Sequence, residues 1–415
     1  MSFLERIDAA PREQKWHVAR EFIKTAPIDF FEELRHRRPI LETDGATLLA
    51  HRTDVFESLD YPTIFTVDLN KLKMGDFMLA LDETPINQRD KSVMRAMLNR
   101  DDQGRIRELV ARLTCEALED APGRLELVSE VSRKVPVQLV GEYFGFPGPD
   151  LETMFRWSKA TQFDQFFNLP FDPLPDSDKV HANAVAALKE LKEYLAGLIR
   201  ERLQQLQSDP NLDDILSRML RTHFPPGVGF GMDRVVLNTG GLLIGAVETT
   251  SLAVVHSLEQ LLKRPVYLEG ARKAAAAGDD ERLAGFVWEA FRFKPFLPYL
   301  ARKTSVDYTI GRGTPREHTI PAGATVLALT MSVMFDPDWA CLPREFQPDR
   351  PGRVYLHFGR GHHQCLGEQV ARVMIPEIVK HVLLLKNLRP APGPEGQVDY
   401  QGGPLPERFV LTLDQ

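Results

Sequence analysis

Cys365 stands in the run His357-Phe-Gly-Arg-Gly-His-His-Gln-Cys-Leu-Gly367, where three glycines fall within eleven residues. Such a loop can turn with positive φ and lets backbone approach a flat ligand closely. A helix is expected from about residue 366, so the thiol sits at a helix N-terminus, where amide N–H groups and the helix dipole stabilise a thiolate. A thiolate is a nucleophile or a metal ligand, whereas an isolated cysteine is more often a small buried apolar residue. His357, His362 and His363 beside Cys365 also raise a zinc site. Adjacent His362 and His363 do not easily face one tetrahedral ion, however, and no second cysteine pair exists.

The second run with chemistry in it is Gly245-Ala-Val-Glu-Thr249, inside an expected helix over Met232–Leu262. Glycine costs a helix about 1 kcal/mol against alanine, so something other than helix stability favours it here. Gly245 and Ala246 leave room beside the helix, and a Thr249 hydroxyl turned onto a helix carbonyl bends it. Glu248 beside that alcohol suits a proton relay. The plainer alternative is a glycine helix packed in a core, with Glu248 on a solvated face. Glu289 and Arg292 stand at i, i+3 in an expected helix over 281–293, a pair worth little by itself. The planar fork of Arg302 suits a carboxylate. His363 is either a second donor to that anion or a loop histidine with no ligand.

In this order the runs resemble the cytochrome P450 superfamily, whose cysteine loop reads Phe-x-x-Gly-x-x-x-Cys-x-Gly. The match is Phe358, Gly361, Cys365 and Gly367, with the bacterial-type Gly359 and His363 also present. Gly245–Thr249 is similar to the family's Ala/Gly-Gly-x-Asp/Glu-Thr, with Ala246 in the second glycine place. Glu289 and Arg292, with Arg350 in Phe346-Gln-Pro-Asp-Arg350, resemble the lock that holds the cysteine loop. The landmarks span nearly the whole chain. They imply a mainly α fold with a minor β portion, a triangular helical prism with a long central oxygen-binding helix, as a single domain over residues 1–415.

The resemblance further implies haem b, its iron bound by Cys365 and its propionates by Arg302 and His363. Phe358, Gly359, Gly361 and Gly367 shape the loop, Gly245 and Ala246 lie beside the ring, and Glu248 and Thr249 are the catalytic acid–alcohol pair. A thiolate ligand pushes electron density toward bound oxygen and favours O–O cleavage. The implied reaction inserts one oxygen atom from O2 into a small apolar substrate, by hydroxylation or oxidative demethylation. Electrons come from a separate ferredoxin or flavodoxin with its NAD(P)H-dependent reductase, since the chain carries no flavin or nucleotide domain. A peroxide-driven enzyme and a non-catalytic haem sensor or carrier are the alternatives; the retained Glu248–Thr249 pair argues against the peroxide route.

Two departures stand out. The family's early Asp-x-x-x-His-x-x-x-Arg falls on Asp82 to Asp90, with Ile86 and Asp90 in the propionate-binding places. Either Arg89 or Lys91 substitutes through a register shift, or that propionate is held differently. Phe335 also stands where the family has arginine.

The elements that must position these residues are mostly helical. Short strands are expected at 39–41 and 46–50, helices over Gln103–Leu118, 182–206 and Met232–Leu262, and strands again at 308–310, 318–320 and 325–329. Substrate contacts are expected from residues 65–78, 158–170 and 295–298 and from the middle of the long helix. Phe77, Phe166, Phe167, Leu243 and Phe296 would form an aromatic pocket for a compact apolar molecule. Apolar residues at such spacing serve equally well as plain core.

Composition limits the remaining classes. The 415 residues are 43% hydrophobic and 26% charged, with net charge -7, and no basic excess points to nucleic acid. Cys115, Cys341 and Cys365 are poor material for a disulfide framework and suit a reducing compartment. The N-terminus is charged throughout and lacks the apolar core of a leader. The apolar stretch 235–247 is interrupted and shorter than the roughly 20 residues that cross a bilayer. A cytoplasmic protein without membrane or nucleic-acid partners is expected. Residues 344–372 hold five arginines against three acids, a local excess able to steer an acidic redox protein.

Overall fold

The computed structural model describes residues 1–119, 123–222 and 224–414. Mostly helical, with a small share of strand, the chain forms two compact units. The first comprises Met1–Gln88, Leu169–Pro173 and Lys294–Cys365; the second Arg89–Asn168, Leu174–Phe293 and Leu366–Gln415.

The first unit is built on a five-stranded sheet in the order Ile40–Glu42, Thr47–Leu49, Thr325–Ala328, Leu300–Thr304, Phe65–Thr66. Thr47–Leu49 runs parallel to Thr325–Ala328 and all three of its residues are buried, as a strand covered on both faces requires. Leu300–Thr304 lies antiparallel to Thr325–Ala328 and sets Arg302 opposite Val326. Strands at Tyr308–Ile310 and His318–Ile320 pair where the alternation places them. Phe335 is buried in this unit. Arg35, on the helix Pro27–Arg37, donates to the carbonyls of Phe335 (3.0 Å) and Ser332 (2.9 Å), so a guanidinium does reach this spot from another element.

The second unit is organised around the 31-residue helix Met232–Leu262. Helices Lys134–Glu142, Leu151–Gln162, Ser177–Ser208, Asp280–Phe293 and Glu368–Leu383 pack against it. Every residue from Thr250 to Leu258 is buried, the mark of a helix apolar all round and enclosed by protein. Its full length and composition would allow it to cross a membrane, which the interrupted stretch 235–247 did not suggest; its most apolar window is mostly buried within the fold instead. Gly240 admits Leu191 and Leu195 of the neighbouring helix to within 3.5 Å of where a Cβ would stand. Residues 163–167 form a π-helical turn that continues Leu151–Gln162. Arg124–Glu126, Val410–Thr412 and Arg389–Pro390 make a small sheet.

Candidate active site

The cysteine loop closes on itself in the first unit. The Cys365 amide donates to the Phe358 carbonyl at 2.8 Å, and Gly359 and Gly361 take positive φ of 70° and 71°. A Cβ on Gly361 would stand 2.7 Å from the Leu59 carbonyl oxygen, so the position demands glycine sterically as well as conformationally. Gly367 differs from the expectation for the three glycines. It adopts an ordinary φ of -81° as the N-cap of Glu368–Leu383, which begins two residues later than anticipated. The Cys365 side chain is exposed. Among the described residues no three His, Cys, Asp or Glu side chains gather as a metal-binding group, and the His362 and His363 rings stand perpendicular.

Beside the loop sit Arg302 and His363. Arg302 is 5% exposed; its Nη1 donates to its neighbour's carbonyl, Ala301, at 2.9 Å, and its buried Nε has no partner. Burial pushes its pKa down to about 10, against the pull of Asp82. The His363 Nε2 lies 2.8 Å from Asp82 Oδ1. Burial lowers the His363 pKa and the Asp82 hydrogen bond opposes the shift. The other Asp82 oxygen accepts from the Val67 amide at 3.1 Å.

In the second unit the Thr249 hydroxyl donates to the Gly245 carbonyl at 2.6 Å, the backbonding expected of it. Gly245 is exposed, and a Cβ there would meet nothing within 4 Å. Glu248 does not lie on a solvated face. It is 1% exposed and accepts from Arg133 at 3.0 Å, while its Oε1 has no partner. Burial holds its pKa above the usual carboxylate value despite Arg133. Arg133 also donates to Glu407 (3.0 Å) and the Pro406 carbonyl (3.0 Å), and Lys159 reaches Glu407 at 2.8 Å. No spacing rule marks Arg133 or Glu407 in the sequence, so reading it for motifs missed both.

The departing positions have a structural account. Asp90 is fully buried, accepting from Arg234 Nε (2.8 Å), Asn238 (3.0 Å) and Arg89 (2.8 Å). Arg89 is thus engaged with Asp90 and the Val228 carbonyl rather than standing in for the missing propionate ligand. Lys91 is buried and Ile86 half-buried.

The remaining candidates divide between the units. Glu289 and Arg292 form a fully buried bidentate pair at 2.7 and 2.8 Å. Arg350, in the first unit, donates to the carbonyls of Cys341, Leu342 and Glu345. Phe77 and Phe296 in the first unit, and Phe166 and Phe167 in the second, are half-buried, whereas Leu243 is wholly buried core. The arginine excess of residues 344–372 is largely taken up locally. Arg344 pairs with Asp29 and Glu32, Arg360 with Asp60 and Arg372 with Glu368.

The haem that the resemblance implies can be tested against these residues. A propionate needs a cation with spare donors, and Arg302 is a desolvated guanidinium whose Nε has no acceptor. The iron needs a thiolate, and the exposed Cys365 stands in a loop built to hold it at a helix start. The residues fit the group.

The family profile "Cytochrome P450" matches residues 140–399. The chain is 27% identical to the cyclomarin C epoxidase CymV of Salinispora arenicola over 359 residues, covering 83% of this chain and 85% of that one. It is 28% identical to the erythromycin C-12 hydroxylase of Saccharopolyspora erythraea, covering 84% of each. Among solved structures, CalO2 superposes with a TM-score of 0.79 at 20% identity, over 94% of this chain and 96% of that one. The testosterone complex of CYP109E1 from Bacillus megaterium gives 0.77 at 21%, over 94% and 99%. These structural likenesses speak to the fold alone. With the sequence relatives and the matched profile, they establish that the chain belongs to the cytochrome P450 family and is a monooxygenase of that family.

Proposed function

We propose that this chain binds haem b through the Cys365 thiolate and transfers one oxygen atom from O2 to a compact apolar substrate, by hydroxylation or oxidative demethylation. The observation that carries this reading is Glu248: a buried acid with one oxygen unpartnered, next in sequence to Thr249. When bound, the haem would supply oxygen activation at a thiolate-ligated iron. The protein's own part is the handling of protons and of the haem's charge. Glu248, its pKa raised by burial, holds a proton to higher pH than an ordinary carboxylate does and so can serve as a proton donor. Thr249 keeps its hydroxyl on the helix face by bonding to Gly245. Arg302 and His363 hold the propionates, and Gly245 and Ala246 leave room for the ring.

The half-buried Phe77, Phe166, Phe167 and Phe296 supply apolar substrate contacts, and Leu243 contributes core packing. Glu289, Arg292 and Arg350 stiffen the chain that carries the cysteine. Electrons come from a ferredoxin or flavodoxin served by an NAD(P)H-dependent reductase. The ion pairs of Arg344, Arg360 and Arg372 leave less net positive charge for steering than the bare segment suggests. Three cysteines without a disulfide suit the cytoplasm.

Two substitutions test the proposal. Glu248→Gln is expected to slow turnover with O2, redox partner and NAD(P)H about 100-fold, the usual worth of a positioned acid, and to spare activity driven by hydrogen peroxide. Equal loss by both routes would remove Glu248 from proton delivery. Cys365→Ala is expected to abolish the thiolate-type ferrous–CO spectrum; a variant that kept it would show that the ligand lies elsewhere.

A further inference from the structure

We infer that Asp82 is a positioning residue for the haem, holding His363 in the orientation that binds a propionate and so supplying anchorage that Ile86 and Asp90 cannot. The inference rests on the haem-thiolate reading above.

Three observations carry it. The Asp82 carboxylate is itself held at two points, with Oδ1 on the His363 ring (2.8 Å) and Oδ2 on the Val67 amide (3.1 Å). A carboxylate pinned in this way fixes the plane of the imidazole, as partners of functional histidines generally do. The His363 side chain is 7% exposed, so water contributes little to orienting it. With Nε2 committed to Asp82, Nδ1 is the ring atom left to face a second partner.

Arg302 completes the cluster. Asp82 acts on Arg302 as a favourable charge, yet no Asp82 oxygen bonds to the guanidinium, whose Nε has no acceptor. The buried guanidinium of Arg302, with its Nε edge open, lacks a bonded anion. At the matching places of the early helix, Ile86 has no charge to offer and Asp90 is consumed by Arg234, Asn238 and Arg89. With those two places offering no cation, anchoring falls to Arg302 and to His363 as Asp82 holds it.

The holoenzyme tests this through haem transfer to excess apomyoglobin, followed by absorption, for wild type, D82N, H363Q and the double variant. D82N is expected to lose haem about tenfold faster than wild type, within the range typical of such supporting contacts. The double variant is expected to lose it no faster than H363Q alone, because Asp82 acts through His363. Wild-type haem loss in D82N overturns the inference. So does the same D82N acceleration in the H363Q background, which would mean that Asp82 serves only to cap Val67. Should D82N not fold, D82E keeps the charge and alters the reach, and a wild-type rate in D82E overturns the inference equally. A wild-type protein lacking the thiolate-type ferrous–CO band would defeat the haem-thiolate reading, and the role of Asp82 with it; a wild type that has the band, with D82N unchanged, defeats only the latter.

Discussion

Two buried charges, one in each unit, are treated in opposite ways. Arg302, in the first unit, is a desolvated cation that donates to its neighbour's carbonyl and, among the described residues, has an open Nε. Glu248, in the second, is a desolvated acid with a guanidinium already in place at 3.0 Å. An uncompensated buried charge is costly, and a protein tolerates one where a ligand completes it. A compensated charge with one oxygen left open can instead change its protonation without leaving the fold. The first arrangement suits holding an anion; the second suits moving a proton.

The largest effect is expected where the compensated charge loses its partner. Arg133→Met leaves Glu248 without its cation and Glu407 with Lys159 alone, and should cost about 3 kcal/mol of stability in urea unfolding. Adding Glu248→Gln should recover part of that loss; a single variant as stable as wild type would mean the pair holds nothing. The contrasting change, Arg302→Met, removes a buried cation that lacks an acid partner. Haem should leave about tenfold faster while the haem-free protein unfolds at the same or a higher urea concentration, because an apolar chain of similar volume no longer carries the desolvation cost. Lower stability without any change in haem retention would assign Arg302 to the fold alone.

The smallest effect is a slope. The folded-state pKa of Glu248 lies above the ordinary 4.5, so the folded protein keeps this proton after the unfolded chain has lost it. Its contribution to stability is complete below pH 4.5 and declines as pH rises through that window. Urea midpoints measured from about pH 5 to 8 should therefore fall more steeply for wild type than for Glu248→Gln. Parallel slopes would show that burial does not raise this acid.

Much of the site was legible because its residues are neighbours in sequence. The positive φ of Gly359 and Gly361, the Thr249–Gly245 bond and the Glu289–Arg292 pair all join residues at most four positions apart or lie within one loop. Spacing rules reach that far, since helix geometry brings i, i+3 and i, i+4 together. The places of the short strands were also readable, because alternation and turn residues mark them. The start of the last helix was misjudged by two residues because Gly367 takes the N-cap place. Leu243 could not be told from a pocket residue, since a leucine looks the same in a core and in a cavity wall.

The sequence by itself determined the family, the glycine-bearing loop around Cys365 and the long helix that carries Glu248 and Thr249. Each of these is written in residues whose separation is set by the backbone. Only the tertiary structure decided who compensates them: Arg133 lies 115 positions from Glu248, and Asp82 lies 281 from His363. The structure also gave the departures at Asp90 and Phe335 an account, the first through Arg234, Asn238 and Arg89 and the second through Arg35. Burial makes such pairings energetically decisive, because a charge taken out of water must find its counterpart wherever the fold brings one. No periodicity along the chain encodes that proximity.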